Sequence, residues 1–201
     1  MKMIHPDTQL KWISEAVGYG VVATKLIPKG TITWVQDALD SIFEPDAPLG
    51  MNELEQEMLE KYSFRNSRGE HVLCWDFGKF VNHSFRSNCL STAYNFELAV
   101  RDIQPGEELT DDYGYLNLIE SFQPIDEGTA RKLVMPDDIL QHYTEWDHAL
   151  RKVFPEIPKN DQPLWNLLEE KLVLEISEVA AGKRKMLSTR NLYYEPEKSR
   201  I

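Results

Sequence analysis

Two short polar segments, set apart by a strand-like stretch, constrain this chain more than anything else in it. Phe80-Val81-Asn82-His83-Ser84 closes with Asn88-Cys89, and Gly106-Glu107-Glu108-Leu109-Thr110-Asp111-Asp112-Tyr113-Gly114 follows. Between them residues 92–100 alternate, with Thr92, Tyr94, Phe96, Leu98 and Val100 on one side, which predicts a half-buried strand. An Asn-His-Ser run and a carboxylate-rich run ending in Tyr-Gly are badly suited to a core, and polar groups gathered at strand ends form sites. A double-glycine turn, Gly18-Tyr19-Gly20, precedes both, followed by Val21-Val22-Ala23-Thr24 and the turn Pro28-Lys29-Gly30.

At 201 residues the chain can bury one good core with a helical appendage. Its 22 Lys and Arg against 33 Asp and Glu leave a net charge of −11. That balance argues against binding a nucleic-acid backbone, which needs clustered positive charge. It suits a basic partner such as a Lys-rich protein segment, and equally it serves solubility. Two cysteines, Cys74 and Cys89, cannot build a disulfide framework or a four-thiolate zinc site. The N-terminal Met1 to Asp7 stretch lacks the apolar run of a signal peptide, and no window approaches a membrane span. A cytoplasmic protein is expected, or a nuclear one in a eukaryote; the oligomeric state is not legible.

Along the chain, Tyr19–Thr24 and Thr31–Val35 read as strands, as does Val72–Trp75. Ala23-Thr-Lys-Leu-Ile-Pro-Lys-Gly30 is echoed by Ala99-Val-Arg-Asp-Ile-Gln-Pro-Gly106, so both should turn the same kind of corner. Residues 51–62 predict a helix with Met51, Leu54, Met58 and Tyr62 on one face. Beyond residue 122 the pattern becomes helical. Pro136-Asp137-Asp138 is a helix start, leading into the stripe Ile139, Tyr143, Trp146, Leu150, Val153. A second helix is expected over residues 164–186, with Trp165, Leu168, Leu172 and Val179 packed inward. Tyr193-Tyr194 reads either as a docking patch or as an ordered tail.

Together the three motifs resemble the SET-domain family of protein lysine methyltransferases, whose signatures read approximately Arg-Phe-x-Asn-His-Ser-Cys-x-Pro-Asn and Glu-Leu-Thr-aromatic-Asp-Tyr. The likeness spans roughly residues 16 to 122. It implies a mainly β fold with helices (α+β), the SET-type β-clip of small sheets with a pseudoknot, plus a helical C-terminal extension. The catalytic domain would cover 1–122, with a helical insert at about 44–70, and the extension 123–201. The implied activity is S-adenosylmethionine-dependent N-methylation of a protein lysine, on a basic, lysine-containing protein or peptide, with no membrane or nucleic-acid partner.

The resemblance also distributes roles. Tyr113 matches the catalytic tyrosine whose hydroxyl orients the lysine nitrogen. Tyr62 resembles a second channel tyrosine, or is a core aromatic at a helix end. Gly18, Tyr19 and Gly20 would hold the methionine part of the cofactor, with the glycines permitting close backbone approach. Asn82 and His83 would hydrogen-bond the cofactor, His83 largely through its backbone, while Ser84 and Asn88 tie the loop. Phe122 would cover the adenine, and Asp111 and Phe64 would line the substrate pocket. Glu108 and Asp112 take structural roles. The carboxylates Glu107, Glu108, Asp111 and Asp112 do not suggest a metal, since two of four point away in a strand.

The chemistry demands a neutral amine. Lysine titrates near pH 10.4, so neutralising it at pH 7 costs roughly 4 to 5 kcal/mol, which a narrow aromatic channel offsets by penalising the ammonium. Two departures from the family stand out. Phe85 occupies the position of a zinc-binding cysteine and no cysteine follows Cys89, so no structural zinc is expected and Phe85 should pack against the tail instead. Asp111 stands where relatives carry Phe or Tyr. A carboxylate there would hold the ammonium and oppose its deprotonation, so it should alter the substrate or the degree of methylation. These departures keep two rivals open: a catalytically silent SET-fold binding module, and a methyltransferase of the same fold acting on something other than lysine.

Overall fold

A computed structural model describes residues 4–195. The chain runs β1 (Thr8–Ser14), β2 (Gly18–Ala23), β3 (Ile32–Val35), β4 (Ser41–Phe43), α1 (Glu53–Tyr62), β5 (Ser63–Arg65), β6 (His71–Leu73), β7 (Asn82–His83), β8 (Cys89–Ser91), β9 (Phe96–Ala99), β10 (Thr110–Asp111), α2 (Asp138–Val153) and α3 (Glu170–Ala180). The strands make small sheets: β1-β2, β3-β9-β8 and β4-β6-β5 are antiparallel, and β7 pairs with β10 in parallel. This is the α+β arrangement of small sheets with a helical C-terminal part. Among the described residues no helix is long and apolar enough to cross a membrane.

The echoed octads become two interlocked corners. Ile27 and Ile103 exchange backbone hydrogen bonds (3.0 and 2.9 Å). The Gly30 N–H donates to Ala99 O, and the Gly106 N–H donates to Ala23 O, each at 2.8 Å. Each octad therefore ends on the other's first residue. Gly30 and Gly106 both sit in the left-handed region (φ 87° and 86°), which an L side chain enters only with strain. Ala23, Ile27, Ala99 and Ile103 are fully buried between the corners.

Local structure departs from the periodicity in four places. The expected strand over 92–100 is only β9, because residues 92–95 form the turn of a hairpin with β8. Thr92 Oγ1 donates to Phe96 O (2.8 Å) and Asn95 takes a positive φ of 58°, which is turn chemistry rather than strand chemistry. Tyr94 is buried all the same, its hydroxyl accepting from the Leu187 N–H (2.8 Å), so the alternation of burial outlives the strand. β1, absent from the sequence reading, pairs along β2. α1 forms where expected, held by a reciprocal Asn52–Glu55 capping box, but it buries only Leu59 and leaves Leu54 and Met58 exposed. Finally, α3 is shorter than 164–186. Residues Trp165–Leu167 form a 3-10 turn after Pro163, and the helix ends at Ala180, just before Gly182 (φ 69°).

The tail is not a loose appendage. Ile32, Phe96, Leu98 and Tyr115 of the β region share one buried cluster with Trp146, Leu150, Phe154, Ile157 and Ile176 of the tail. Gln162 locks this contact: its Oε1 accepts from the Ile32 N–H (2.9 Å) and its Nε2 donates to Gly30 O (2.7 Å). At the end of the described chain, Asn117 accepts from the Tyr194 N–H (2.9 Å) and donates to Leu192 O (2.8 Å), while the Tyr194 ring lies on Gly69. Tyr194 is thus an ordered strap. A second buried cluster, including Val21, Trp34, Cys74, Val81, Cys89 and Leu109, lies beneath the polar motifs.

A cluster shared by the β region and the tail predicts one cooperative transition. Phe154→Ala should lower stability by about 3–5 kcal/mol in chemical denaturation, with tryptophan fluorescence and far-ultraviolet dichroism moving together. Two separate transitions, one of them unshifted, would show that the extension folds by itself.

Candidate active site

The polar motifs meet through a very short ladder. β7 and β10 run parallel with Asn82 opposite Thr110 and His83 opposite Asp111. The ladder is extended by the Ser84 N–H donating to Asp111 O (2.9 Å). Asn88 clamps it from beside, its amide donating to Glu108 O (2.7 Å) and accepting from the Thr110 N–H (2.9 Å). Two residues past the ladder, Tyr113 donates its backbone N–H to His83 Nδ1 (3.1 Å) and its hydroxyl to Val81 O (2.8 Å). Because His83 Nδ1 accepts, the ring proton belongs on Nε2. That Nε2 is buried without a partner, and burial holds the imidazole below its ordinary pKa, hence neutral. Around it stand the rings of Phe85 (4.5 Å between centroids), Tyr113 (5.4 Å) and Phe122 (5.9 Å).

The double-glycine turn abuts the same ladder. Gly18 has a φ of 83° with open space where a Cβ would stand. At Gly20 a Cβ would come within 2.2 Å of Glu108 Oε1 and 2.9 Å of Asn82 Nδ2, so only glycine lets these side chains reach the turn. Asn82 Nδ2 donates to both Tyr19 O (3.0 Å) and Glu108 Oε1 (2.7 Å). Its amide hydrogens are therefore committed within the protein, which leaves Oδ1 for a ligand. The half-exposed Tyr19 ring starts an aromatic row, meeting Trp12 (5.2 Å) and Phe80 (6.4 Å), and Phe80 in turn meets Tyr62 (5.7 Å).

Two cavities share a wall at Tyr113. One, of about 130 Å³, is lined by Trp34, Tyr62, Phe64, Val81, Tyr113 and the carboxyls of Glu97 and Asp111. The other, of about 330 Å³, runs from Tyr113 and Phe64 along residues 116–122 to Phe122. Of the residues singled out in the sequence, Tyr62, Phe64, Asp111 and Tyr113 line the first cavity. Phe122 lines the second, and Gly18, Tyr19, Gly20, Asn82 and His83 gather on the ladder beside them. Tyr113 keeps its proton: burial, then the nearby Asp111, Glu97 and Glu108, push the phenol well above its ordinary value. The hydroxyl is a donor and a dipole, not a base.

Glu97 is the site residue that sequence reasoning missed. It sits on the middle strand β9, facing Trp34 on β3 and Ser91 on β8. Its place between Phe96 and Leu98 assigns it to solvent by period two. In the fold its Oε2 is instead sealed from water without a partner, and the Asp111 carboxyl lies within hydrogen-bonding reach of its side chain. Burial pushes both above the usual carboxylate range; Asp76 adds to it at Glu97, and Glu97 and then Asp112 add to it at Asp111, while the hydrogen bond between the two lowers Glu97 in part. Asp111 is therefore not the simple carboxylate that the sequence suggests. The one hint in the chain was the run of apolar neighbours around a lone Glu.

On the far side of the ladder a guanidinium holds the tail in place. Arg131 bridges Asp112 and Asp138, both at 2.5 Å, and stacks on Phe85 (4.6 Å) and Trp146 (5.9 Å). Trp146 Nε1 also donates to Asp112 (3.2 Å). Phe85 thus meets the tail through a cation–π contact and through its N–H to Glu127 (3.0 Å), not through apolar packing alone.

Residues 18–114 match the SET domain family model, so this stretch of the chain is a SET domain. SET domains are in general methyltransferases, and the matched span holds the double-glycine turn, the Asn-His ladder and Tyr113. No curated protein matches the chain. The crystal structure of a candidate histone methyltransferase from Plasmodium falciparum is similar at 18% identity and a TM-score of 0.40, covering 55% of this chain and 95% of that one.

Arg131→Met leaves Asp112 and Asp138 buried without their cation and should cost about 3–5 kcal/mol in chemical denaturation. Asp111→Asn should change the pH dependence of stability. Raised folded pKa values mean that the native state holds protons that the unfolded chain has released above about pH 4. Wild-type stability should therefore fall, relative to Asp111→Asn, as pH rises from about 4 towards the raised values. Thermal unfolding of both proteins across that range reads the difference directly.

Proposed function

We propose that this SET domain is an S-adenosylmethionine-dependent methyltransferase acting on the side-chain amine of a lysine in a basic protein. The observation that carries the reading is the Tyr113 hydroxyl, held on Val81 O at the wall common to two cavities, the smaller of them lined in part by Trp34, Tyr62 and Phe64. The residues fit the cofactor on two counts. His83 Nε2 is a buried donor with no partner beside three aromatic rings, and the Gly18–Gly20 turn offers open space at Gly18. Tyr19 and the glycine backbone, Asn82 through Oδ1, His83 and Phe122 would hold it. Bound there, S-adenosylmethionine supplies an electrophilic methyl group on a sulfonium.

The protein's own residues do the rest. Tyr62, Phe64 and Trp34 give the small cavity an apolar lining that suits a lysine stem and disfavours bulk water. Tyr113, which lines the cavity and already spends its proton on Val81 O, keeps its oxygen lone pairs free to accept a hydrogen bond from an amine N–H. Such a contact aims the nitrogen lone pair, which is positioning rather than proton transfer. The net charge of −11 favours encounter with a lysine-rich segment. Cytoplasmic or nuclear residence belongs to the same proposal.

Calorimetry with S-adenosylmethionine should show one saturable site. Labelled methyl transfer to a lysine-rich protein should then fall by about 100-fold or more in Tyr113→Phe, with cofactor binding unchanged. Binding without any transfer would leave a silent module; absence of binding would end the enzymatic reading.

A further inference from the structure

Beside Trp34, Phe64 and Val81 the small cavity is lined by two acids set in the protein interior, Glu97 and Asp111, and Asp111 Oδ1 also accepts the Asp112 N–H (3.0 Å). Asp111 is 3% exposed and Glu97 Oε2 is buried without a partner, yet both line the cavity that also exposes Tyr113. Two carboxyls within hydrogen-bonding reach in a low-dielectric site cannot both ionise, so the pair keeps at least one proton and carries at most one negative charge. A monoanion at the end of an aromatic channel attracts a cation and can take a second proton.

We propose that Glu97 and Asp111 act as a single unit, the acceptor that takes the proton from the substrate ammonium. The inference rests on the lysine reading above. In the step, one N–H bond of the ammonium breaks, its electron pair stays on nitrogen as the nucleophile, and one O–H bond forms on the pair. The ammonium goes from +1 to 0 as the pair goes from −1 to 0, so no charge is left in the cavity. The other groups near this point do not compete. The Tyr113 hydroxyl already donates to Val81 O, and His83 has its Nδ1 committed to the Tyr113 N–H and does not line the cavity. Glu60 lines the cavity from the exposed face of α1, and Lys61 and Lys79 line it as cations.

The pair is surrounded so as to favour proton uptake. Asp76 faces Glu97, and Asp112 faces Asp111 from the same strand end. Thr33 of β3 approaches Glu97, and the Cys74 and Cys89 thiols stay protonated beside the pair. The positive groups Lys61 and Lys79, which also line the cavity, oppose it. Like charges on two sides and burial on the rest keep the unit a stronger base than a free carboxylate.

The test has two readouts. In the ligand-free protein, carbon-13 NMR of the side-chain carboxyls should show Glu97 and Asp111 titrating together, well above the ordinary range. Asp111→Asn should replace the joint titration with a single Glu97 titration, still raised by burial and Asp76. Two independent titrations near pH 4 would overturn the proposal without any assay of activity. In single-turnover methylation of a synthetic lysine-rich peptide, Glu97→Gln and Asp111→Asn should each lose about 10²–10⁴-fold at pH 7. The deficit should shrink as pH approaches about 10.4, where lysine deprotonates unaided. Calorimetry with S-adenosylmethionine checks that each variant is folded, and if one is not, the other decides. Variants that keep the wild-type rate and pH profile overturn the inference alone. A wild-type protein that binds the cofactor but methylates no lysine overturns the lysine reading, and the inference with it.

Discussion

The site depends on two residues of parallel strand. Asn82-His83 against Thr110-Asp111 is the shortest ladder in the molecule, yet everything chemical is referred to it. It places the Tyr113 N–H on His83 Nδ1, carries the Asp111 carboxyl to the foot of the cavity and brings Asn82 within reach of the double-glycine turn. So short a pairing cannot hold itself. Asn88 clamps its edge with two side-chain bonds, and the Ser84 N–H adds a third rung. The interlocked corners at Gly30 and Gly106 brace the neighbouring strands by reciprocal backbone bonds, so a shift in one corner must move the other. A site built on well-supported backbone keeps its side chains in place before any ligand arrives.

The helical tail reaches this ladder from outside. Arg131 clasps Asp112, one residue from the ladder, to Asp138 at the start of α2, and its guanidinium lies against the rings of Phe85 and Trp146. A planar cation with several fixed donors is the residue type that can satisfy two buried carboxylates at once. Since the tail also shares a core with Phe96 and Leu98, it supports the sheet that carries Glu97. Tail and site are mechanically one body, although the tail contributes no residue to the small cavity.

Glu97 and Asp111 break the local rules of their own segments. A glutamate at an outward strand position should meet water, and an acidic residue next to another carboxyl should be avoided. Both conflicts fall at the same cavity, and violations that coincide in space mark places where the fold is shaped by chemistry rather than by stability. Their shared proton resolves the apparent contradiction of a carboxylate beneath an amine that must lose its charge. A free carboxylate would hold the ammonium; a pair with raised affinity for protons can also relieve it.

Much of this was legible in the sequence because it is local. The glycine positions, the turn of each echoed octad, the start of α2 and its apolar stripe all follow from neighbouring residues and from period. The motifs around Asn82 and Tyr113 marked a polar centre because Asn, His, Asp and Tyr crowded together make a poor core. What the sequence could not show was nonlocal. Nothing in residues 82–83 encodes a partner twenty-eight positions away, since a parallel pair is set by the sheets on either side and not by its own side chains. The alternation around Tyr94 continued through a turn because burial follows the core while hydrogen bonding follows Thr92 and Asn95. α1 showed an apolar face that its caps allow it to leave in water. Glu97 read as a surface residue because period two knows only two faces. It took the closing of a second wall, with Asp111 on it, to turn the outward face of one strand into the floor of a cavity.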